Sequence, residues 1–212
     1  MFYLKVNKVK ILNNRELIGK AEIQFMSFVT PGESDFPSLK EFFDTNDENQ
    51  KKEIVKQAMA QVIGSRKLLP VYKFKDNQEV AFGDTGYILY EAEKTPKDFN
   101  WMFLAIELDK RTRQDADLAS KIITDQNVSN VVGSIEKLAS VANPVAGAIT
   151  ELTTFVAKSV TEVMKNDRDD QAGFFLSSFI EQEDYPNGRR EKEDVPDLTS
   201  NMYIGYSIVS YN

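Results

Sequence analysis

Alternating apolar residues predict several β-strands. Near the start of the chain, Phe2, Leu4 and Val6 share one face, and Val9 and Ile11 continue that face after a shift of one residue at Asn7-Lys8, which indicates a β-bulge. Further strands are predicted over residues 18–29, 68–75, 101–108, 173–182 and 202–211, with two short pieces within 78–93. The polar stretch 183–199, which contains Pro186-Asn187-Gly188, predicts a solvated loop.

The alternation over residues 101–108 also predicts which side chains of this strand face the core. Met102, Leu104 and Ile106 are assigned to the inward side, together with Leu108, while Trp101, Phe103, Ala105 and Glu107 lie on the other face. In the strand over 173–182 two phenylalanines are adjacent, so Phe174 or Phe175 has to face away from the core. That phenylalanine is expected to pack under a helical part of the chain.

Helical periodicity replaces the alternation in two regions. Residues 38–63 predict one or two helices, and residues 115–165 carry almost no strand signal. The second region repeats apolar residues at steps of three and four, at Val131, Ile135, Leu138, Ala142, Val145, Ile149, Leu152, Val156, Val160 and Val163. Pro144 lies in the middle of this stripe, and proline removes a helical hydrogen bond. We therefore expect two helices that meet near 143–147, or one sharply kinked helix.

These elements together predict a fold that is mainly β with an α insertion. Strands dominate, and strand and helix do not alternate as they do in a parallel α/β sheet. We expect a single domain over 1–212, an eight-stranded antiparallel sandwich with its core in 1–113 and 166–212, and a helical hairpin inserted at 114–165.

Composition excludes several kinds of chemistry. The chain has no Cys and no His, so it cannot form disulfides, thiolate or imidazole metal sites, or a Ser-His-Asp triad. The net charge of −7 argues against general nucleic-acid binding, which needs a basic surplus. The start of the chain does not resemble a signal peptide, and no apolar run is long enough for a spanning helix, so a cytoplasmic location is expected.

Two separated segments carry a resemblance to a known family. Residues 101–113 (WMFLAIELDKRTR) and 166–180 (NDRDDQAGFFLSSFI) resemble the paired strands of C-two domains, the calcium- and phospholipid-binding β-sandwiches, in which an Asp-Asp-x-x-Gly turn opens a strand. The opening FYLKVNKVKIL and the closing MYIGYSIVSY are similar to that family's first and last strands. The resemblance implies an eight-stranded sandwich whose tip carries residues 115–165 as an insertion.

The same resemblance implies a calcium site at that tip. Its ligands would be Asp109, Asp169 and Asp170, with Asp167 at the periphery. Arg111 occupies the position of another family ligand, so the implied site is degenerate, and no other cofactor is expected. A purely structural alternative is that the Asp170 carboxylate accepts hydrogen bonds from backbone N–H groups in the turn before Gly173.

Three functions are compatible with these patterns. The first is a non-enzymatic binding or scaffolding module of C-two-like type that engages a protein or membrane partner, with a homo-oligomer possible through the insertion. The second is a membrane-active protein whose hairpin tip, at Asn143, Pro144 and Val145, inserts into or lies on lipid. The third is a hydrolase that uses carboxylates, although no pattern pairs two of them.

Overall fold

The structure is a computed structural model that describes residues 1–14, 19–32, 36–108, 115–166 and 170–211. Within these residues the chain forms nine β-strands and six helices. The strands are β1 (Phe2–Ile11), β2 (Ala21–Pro31), β3 (Lys67–Phe74), β4 (Gln78–Ala81), β5 (Tyr87–Ala92), β6 (Asp98–Glu107), β7 (Asp170–Ile180), β8 (Arg189–Pro196) and β9 (Met202–Ser210). The prediction of a mainly β fold with helices is therefore confirmed.

The strands form two antiparallel sheets that pack face to face. The five-stranded sheet has β1 at its centre, with β9 and then β8 on one side and β4 and β5 sharing the other side. The four-stranded sheet has the order β3-β2-β6-β7. Large side chains from both sheets fill the space between them, among them Phe2, Phe25, Trp101 and Phe103. The bulge predicted in β1 is present between Val6 and Lys8.

Helices cover the outer face of the four-stranded sheet. They are α1 (Ser38–Asp44), α2 (Glu48–Gly64), α3 (Asp115–Ile122), α4 (Asp125–Glu136), α5 (Pro144–Asn166) and the short α6 (Glu181–Asp184), which follows β7. The first five helices and this sheet face share a second hydrophobic core, which contains Phe28, Met59, Leu104, Ile135 and Val156. The molecule thus has three layers, two sheets and one layer of helices.

The facing predicted for residues 101–108 is wrong in one respect. Met102, Leu104 and Ile106 do face a core, but it is the one under the helices. Trp101 and Phe103, assigned to the opposite side, are fully buried between the two sheets. The reason is that β6 is a central strand covered on both faces, so both sets of side chains are apolar. The two adjacent phenylalanines follow the prediction, since Phe175 lies between the sheets and Phe174 packs towards the helices.

Two further expectations are corrected by the structure. Residues 189–196, predicted as part of a solvated loop, form the edge strand β8, which pairs with β9 and raises the count from eight strands to nine. Its side chains are mostly exposed, so the sequence has no alternating apolar pattern that would predict a strand here. The inserted block contains three helices, α3, α4 and α5, where a two-helix hairpin was predicted.

The apolar stripe of the block packs inside the protein. Val131, Ile135, Leu152, Val156 and Val160 are buried in the core under the helices. As predicted, the helix breaks before Pro144, where α5 begins. Helix α5 is about 35 Å long at 1.5 Å per residue, and β7 has about the same length at 3.3 Å per residue. Because α5 leads directly into β7, the start of α5 lies near the end of β7.

Candidate functional site

A polar row crosses the helix-facing side of the four-stranded sheet near one end. Thr30 of β2 pairs with Asn100 of β6, and Asn100 pairs with Ser178 of β7. The two preceding rows on this face are apolar, with Phe28, Met102 and Leu176 in the nearer one. Three adjacent polar side chains on a face otherwise used for packing mark this end of the sheet as different from the rest.

Two residues of the polar row, Thr30 and Asn100, are buried, and the third, Ser178, is exposed. Asn100 is 7% exposed, and its Oδ1 accepts a hydrogen bond from the Ser178 hydroxyl at 2.5 Å. Thr30 is 1% exposed, and its hydroxyl has no hydrogen-bond partner among the described residues. A buried hydroxyl without a partner costs free energy, and a buried polar group of this kind requires an explanation beyond packing. The row therefore has hydrogen-bonding capacity that the fold itself does not use.

A groove of about 450 Å³ opens above this row. It lies between the start of α5, the start of β6 and the end of β7, and we call it the α5 groove. Its lining consists of Lys97, Asp98, Phe99, Asn100, Asn143, Ala146, Thr150, Ser178, Phe179, Ile180, Glu181 and Gln182. The helix layer does not cover the sheet here, and Ile180 is 46% exposed. The volume is in the range of sites that take small molecules or peptide side chains.

The wall contributed by α5 is held by local hydrogen bonds. Asn143 precedes the helix, and its Oδ1 accepts a hydrogen bond from the Ala146 N–H at 3.2 Å, as an N-cap residue does. Pro144 is the first helical residue, a position that proline favours because no N–H is needed there. The Thr150 hydroxyl donates to the Ala146 carbonyl at 3.1 Å. The start of α5 is therefore a defined surface of the groove.

Charged groups surround the α5 groove. Lys97, just before β6, and Asp98, the first residue of β6, line it, and Glu181 lines it from α6. The Asp98 side chain lies against Gly32, where a Cβ would approach its Oδ1 to 2.1 Å, so a larger residue at position 32 would displace the Asp98 carboxylate. In α6, Asp184 forms an ion pair with Arg190 at 3.0 Å, whereas Glu181 and Glu183 form no ion pair with any described residue. This rim therefore has an acidic side at 181–183.

Two tyrosines support the same end of the sandwich from within. Burial raises the pKa of the Tyr185 phenol, whose hydroxyl donates to the Pro96 carbonyl at 2.6 Å. Burial also raises the pKa of Tyr206, and the hydrogen bond from Arg190 opposes part of that shift. Arg190 lies over the ring of Phe179 as well, at 5.7 Å from its centre. The segment beneath the groove is thus fixed by hydrogen bonds and ring contacts.

Of the predicted calcium ligands, the structure describes only Asp170, which lies apart from the predicted contact residues. Asp170 begins β7, at the end of that strand remote from the α5 groove. Asp109, Asp167 and Asp169 lie outside the described residues, so the calcium site stays a prediction. Within the described part of the chain, no group of three or more acidic side chains is arranged to hold a metal ion.

The predicted contact residues lie at or near the α5 groove. Asn143 lines it and is exposed, Pro144 opens α5, and Val145 packs against the core under the helices. Sequence reasoning missed Asn100, Ser178 and Ile180. A weak signal was present, since Asn100 directly precedes the apolar run 101–106 and Ser177-Ser178 interrupts the apolar strand β7.

Comparison of the chain with protein-family models, with curated proteins and with solved structures gave no match. Among the helices in the described ranges, none combines the length and the apolar character needed to cross a bilayer.

Proposed function

We propose that this chain is a non-enzymatic binding module that engages a protein partner at the α5 groove. The observation that carries the proposal is the polar pair Asn100 and Ser178, which lines an open groove on a sheet face that is elsewhere covered by helices. Polar groups held in place beside apolar side chains are what orients a bound ligand. The groove supplies both, with the exposed side chain of Ile180 beside the row.

The shape of the groove favours a protein partner over an enclosed small molecule. The groove is open to solvent, and the exposed Ile180 lines it, so a ligand longer than the groove can be accommodated. At the turn before α5, Val141 is 44% exposed and provides a second apolar contact. Exposed apolar side chains next to fixed polar groups are typical of surfaces that bind other proteins.

We further propose that the sandwich is C-two-like. Two features support this proposal: the two antiparallel sheets pack face to face, and the helices α3–α5 connect the antiparallel neighbours β6 and β7, the pair on which the resemblance was based. Lipid binding through the hairpin tip is a separate possibility. It has less support, because Val145 packs against the protein's own core and is half-buried.

The proposal is tested by selecting binders and mapping them to the groove. A phage-displayed library of random dodecapeptides is selected on the immobilised full-length chain, and the enriched peptides are synthesised and their affinities measured. Replacing Ala146 with Trp fills the groove and is expected to lower the affinity by about tenfold or more. The matched control is Ala139→Trp, because Ala139 is exposed and lies outside the groove lining.

Two outcomes would refute this function. One is a failure to select any peptide, and the other is peptides that bind wild type and Ala146→Trp equally. Co-sedimentation with anionic and with neutral liposomes, with calcium and with chelator, is run in parallel. If no peptide binds but liposomes do, and Ala146→Trp leaves the liposome binding unchanged, the partner would be a membrane surface and not a protein.

A further inference from the structure

We propose that the partner is bound as an extended strand that pairs with the outer edge of β7 at Leu176 and Ser178. This inference rests on the proposed function and specifies how the partner is held. The outer edge of β7 is the side of the strand that does not face β6. The evidence comes from the direction of the backbone groups of β7, from the other sheet edges and from the charges beside the strand.

The direction of the backbone groups follows from two positions. The N–H of Phe174 donates to Asp197 Oδ2 at 2.6 Å, and its carbonyl accepts from the N–H of Leu198 at 2.8 Å, so Phe174 faces away from β6. The N–H of Glu181 donates to the Lys97 carbonyl at 2.8 Å, so residue 181 faces β6. The pairing shows no register shift between 174 and 180. Because direction alternates along a strand, Leu176, Ser178 and Ile180 face outward with Phe174.

The two middle positions of this edge are open. Residues 197 and 198 occupy the edge at Phe174, and the N–H of Ile180 donates to Asp184 Oδ2 at 2.9 Å. Between these positions, the backbone N–H and C=O of Leu176 and Ser178 have no hydrogen-bond partner in the described parts of the chain. Ser178 is exposed, and Leu176 is half-buried. An added strand could therefore form hydrogen bonds with two N–H and two C=O groups.

The edge strands β8 and β3 are protected against strand addition. Edge strand β8 carries a dense run of charges and has Asp194 in the left-handed region, at φ +51°. Edge strand β3 contains Pro70, and Lys67 donates to the Ile88 carbonyl of β5 at 2.6 Å. Charge, proline and irregular geometry are the usual protections of an edge. Residues 174–180 (FFLSSFI) have neither a charge nor a proline, so the edge of β7 lacks these protections.

The charges beside this edge indicate which peptide fits. Beyond Ile180, Glu181 and Glu183 lie in α6 without an ion pair to a described residue. A peptide that carries Lys or Arg at this end would be attracted, and the chain's net charge of −7 adds to that attraction. The exposed Ile180 favours an apolar residue next to it. We therefore commit to an extended peptide with an apolar residue next to a basic one. A second copy of this acidic chain fits less well.

The open stretch is short. From Phe174 to Ile180 the strand rises about 20 Å, at 3.3 Å per residue. Only the middle of this stretch is open, so a partner strand pairs over a few residues and then has to turn away from residues 197–198. The α5 groove lies on the helix-facing side of β7 and takes the alternate side chains of the peptide that point to that side. Strand pairing supplies the backbone contacts, and the groove supplies the selectivity.

The test uses the peptides selected on the full-length chain. The best peptide is resynthesised with N-methyl groups on its even-numbered residues, and separately on its odd-numbered residues. An added strand directs every second N–H to β7, so one set is expected to lower the affinity by about tenfold or more and the other set by much less. On the protein, Ser178→Pro removes an outward N–H, and its effect should exceed that of Ser178→Ala, which removes only the hydroxyl.

Charge is tested with a second pair of variants. Glu183→Lys is expected to weaken binding several-fold and to reduce its dependence on salt, while Glu53→Lys, on the remote helix α2, is expected to leave it unchanged. Equal effects of the two N-methylated peptides would overturn the strand pairing, and loss of binding in Ala146→Trp would then still support the proposed function. If Ser178→Pro fails to fold, the N-methyl comparison decides alone, because it needs only the wild-type chain.

Self-association gives the remaining outcome. Light scattering of the free protein should show a monomer. A dimer that Ser178→Pro dissociates would mean that a second copy pairs with β7, which would overturn the assignment of a basic peptide as the occupant.

Discussion

Asp197 lies at a junction of three strands, and its replacement offers a sharp test of the fold. It is 6% exposed, and its carboxylate accepts four hydrogen bonds. The donors are the N–H of Phe174 at 2.6 Å, the Thr199 hydroxyl at 2.5 Å, and the N–H groups of Asn201 and Met202 at 3.0 and 3.1 Å. One side chain thus connects the edge of β7 in one sheet to the start of β9 in the other.

The expected cost of Asp197→Ala follows from the donors that lose their acceptor. The N–H of Met202 is buried and would carry a penalty of about 1–3 kcal/mol. The N–H groups of Phe174 and Asn201 are partly buried, so water can replace part of their bonds, and each adds about 1 kcal/mol. We expect a total loss of about 3–5 kcal/mol, a large part of the 5–15 kcal/mol typical of a folded domain.

The assay is urea unfolding followed by the fluorescence of Trp101, the sole tryptophan, which is fully buried between the sheets. Far-UV circular dichroism on the same samples checks that the transition is two-state. Asp197→Asn keeps one acceptor but turns an NH₂ group towards a donor, so an intermediate loss of about 2 kcal/mol is expected. Asp84→Ala is the matched control, since Asp84 is exposed and has no hydrogen bond or ion pair with the described residues.

The reasoning is refuted if Asp197→Ala unfolds at the urea concentration of the wild type, or at that of Asp84→Ala. Such a result would mean that water satisfies all the released donors, and that the junction contributes little to stability. A changed slope without a changed midpoint would instead indicate an altered unfolded state.

Three further predictions concern stability. A Cβ at Gly173 would lie 2.7 Å from Met202 Cβ, so Gly173→Ala should lower the free energy of unfolding by about 1–3 kcal/mol, measured in urea; an unchanged midpoint would contradict the close approach. Val145→Asp should lower the free energy of unfolding by about 1–3 kcal/mol, measured by thermal unfolding, because Val145 packs against the core. Val141→Asp, at an exposed site, should lower it by less than about 0.5 kcal/mol. Equal effects of the two substitutions would count against the packing of α5. Burial raises the pKa of Tyr185 above 10.0, so the phenol keeps its proton to a higher pH in the folded state than in the unfolded state. The contribution of this group to stability is therefore complete below about pH 10 and falls as the pH rises further. In a series of urea titrations at increasing pH, Tyr185→Phe should make that fall shallower.

The sequence was most informative where only one side of an element is buried. In β1 the alternation of Phe2, Leu4 and Val6, and its shift before Val9, predicted both the inward face and the bulge. For the same reason the stripe from Val131 to Val163 predicted helices that pack on one side. A period is visible when apolar and polar positions contrast, and both of these elements provide that contrast.

The sequence failed where that contrast is missing. Both faces of β6 are buried, so its residues are apolar throughout and their facing could not be assigned. Strand β8 is the opposite case, since its backbone pairs with β9 while most of its side chains are exposed. The α5 groove could not be predicted because Asn100, Asn143 and Ser178 are far apart in the chain and meet only through strand pairing and the return of α5.

The connection between β6 and β7 has a consequence for any attempt to shorten this protein. The two strands are antiparallel neighbours, so their connectivity alone would allow residues 108–169 to be excised and replaced with a tight turn. Such a deletion would remove no strand. It would, however, remove α3, α4 and α5 and so bare the part of the four-stranded sheet that α5 covers on β6 and β7, where Met102, Leu104 and Leu176 now pack. The minimal sandwich would therefore be an aggregating protein unless those positions were redesigned as polar in the same step.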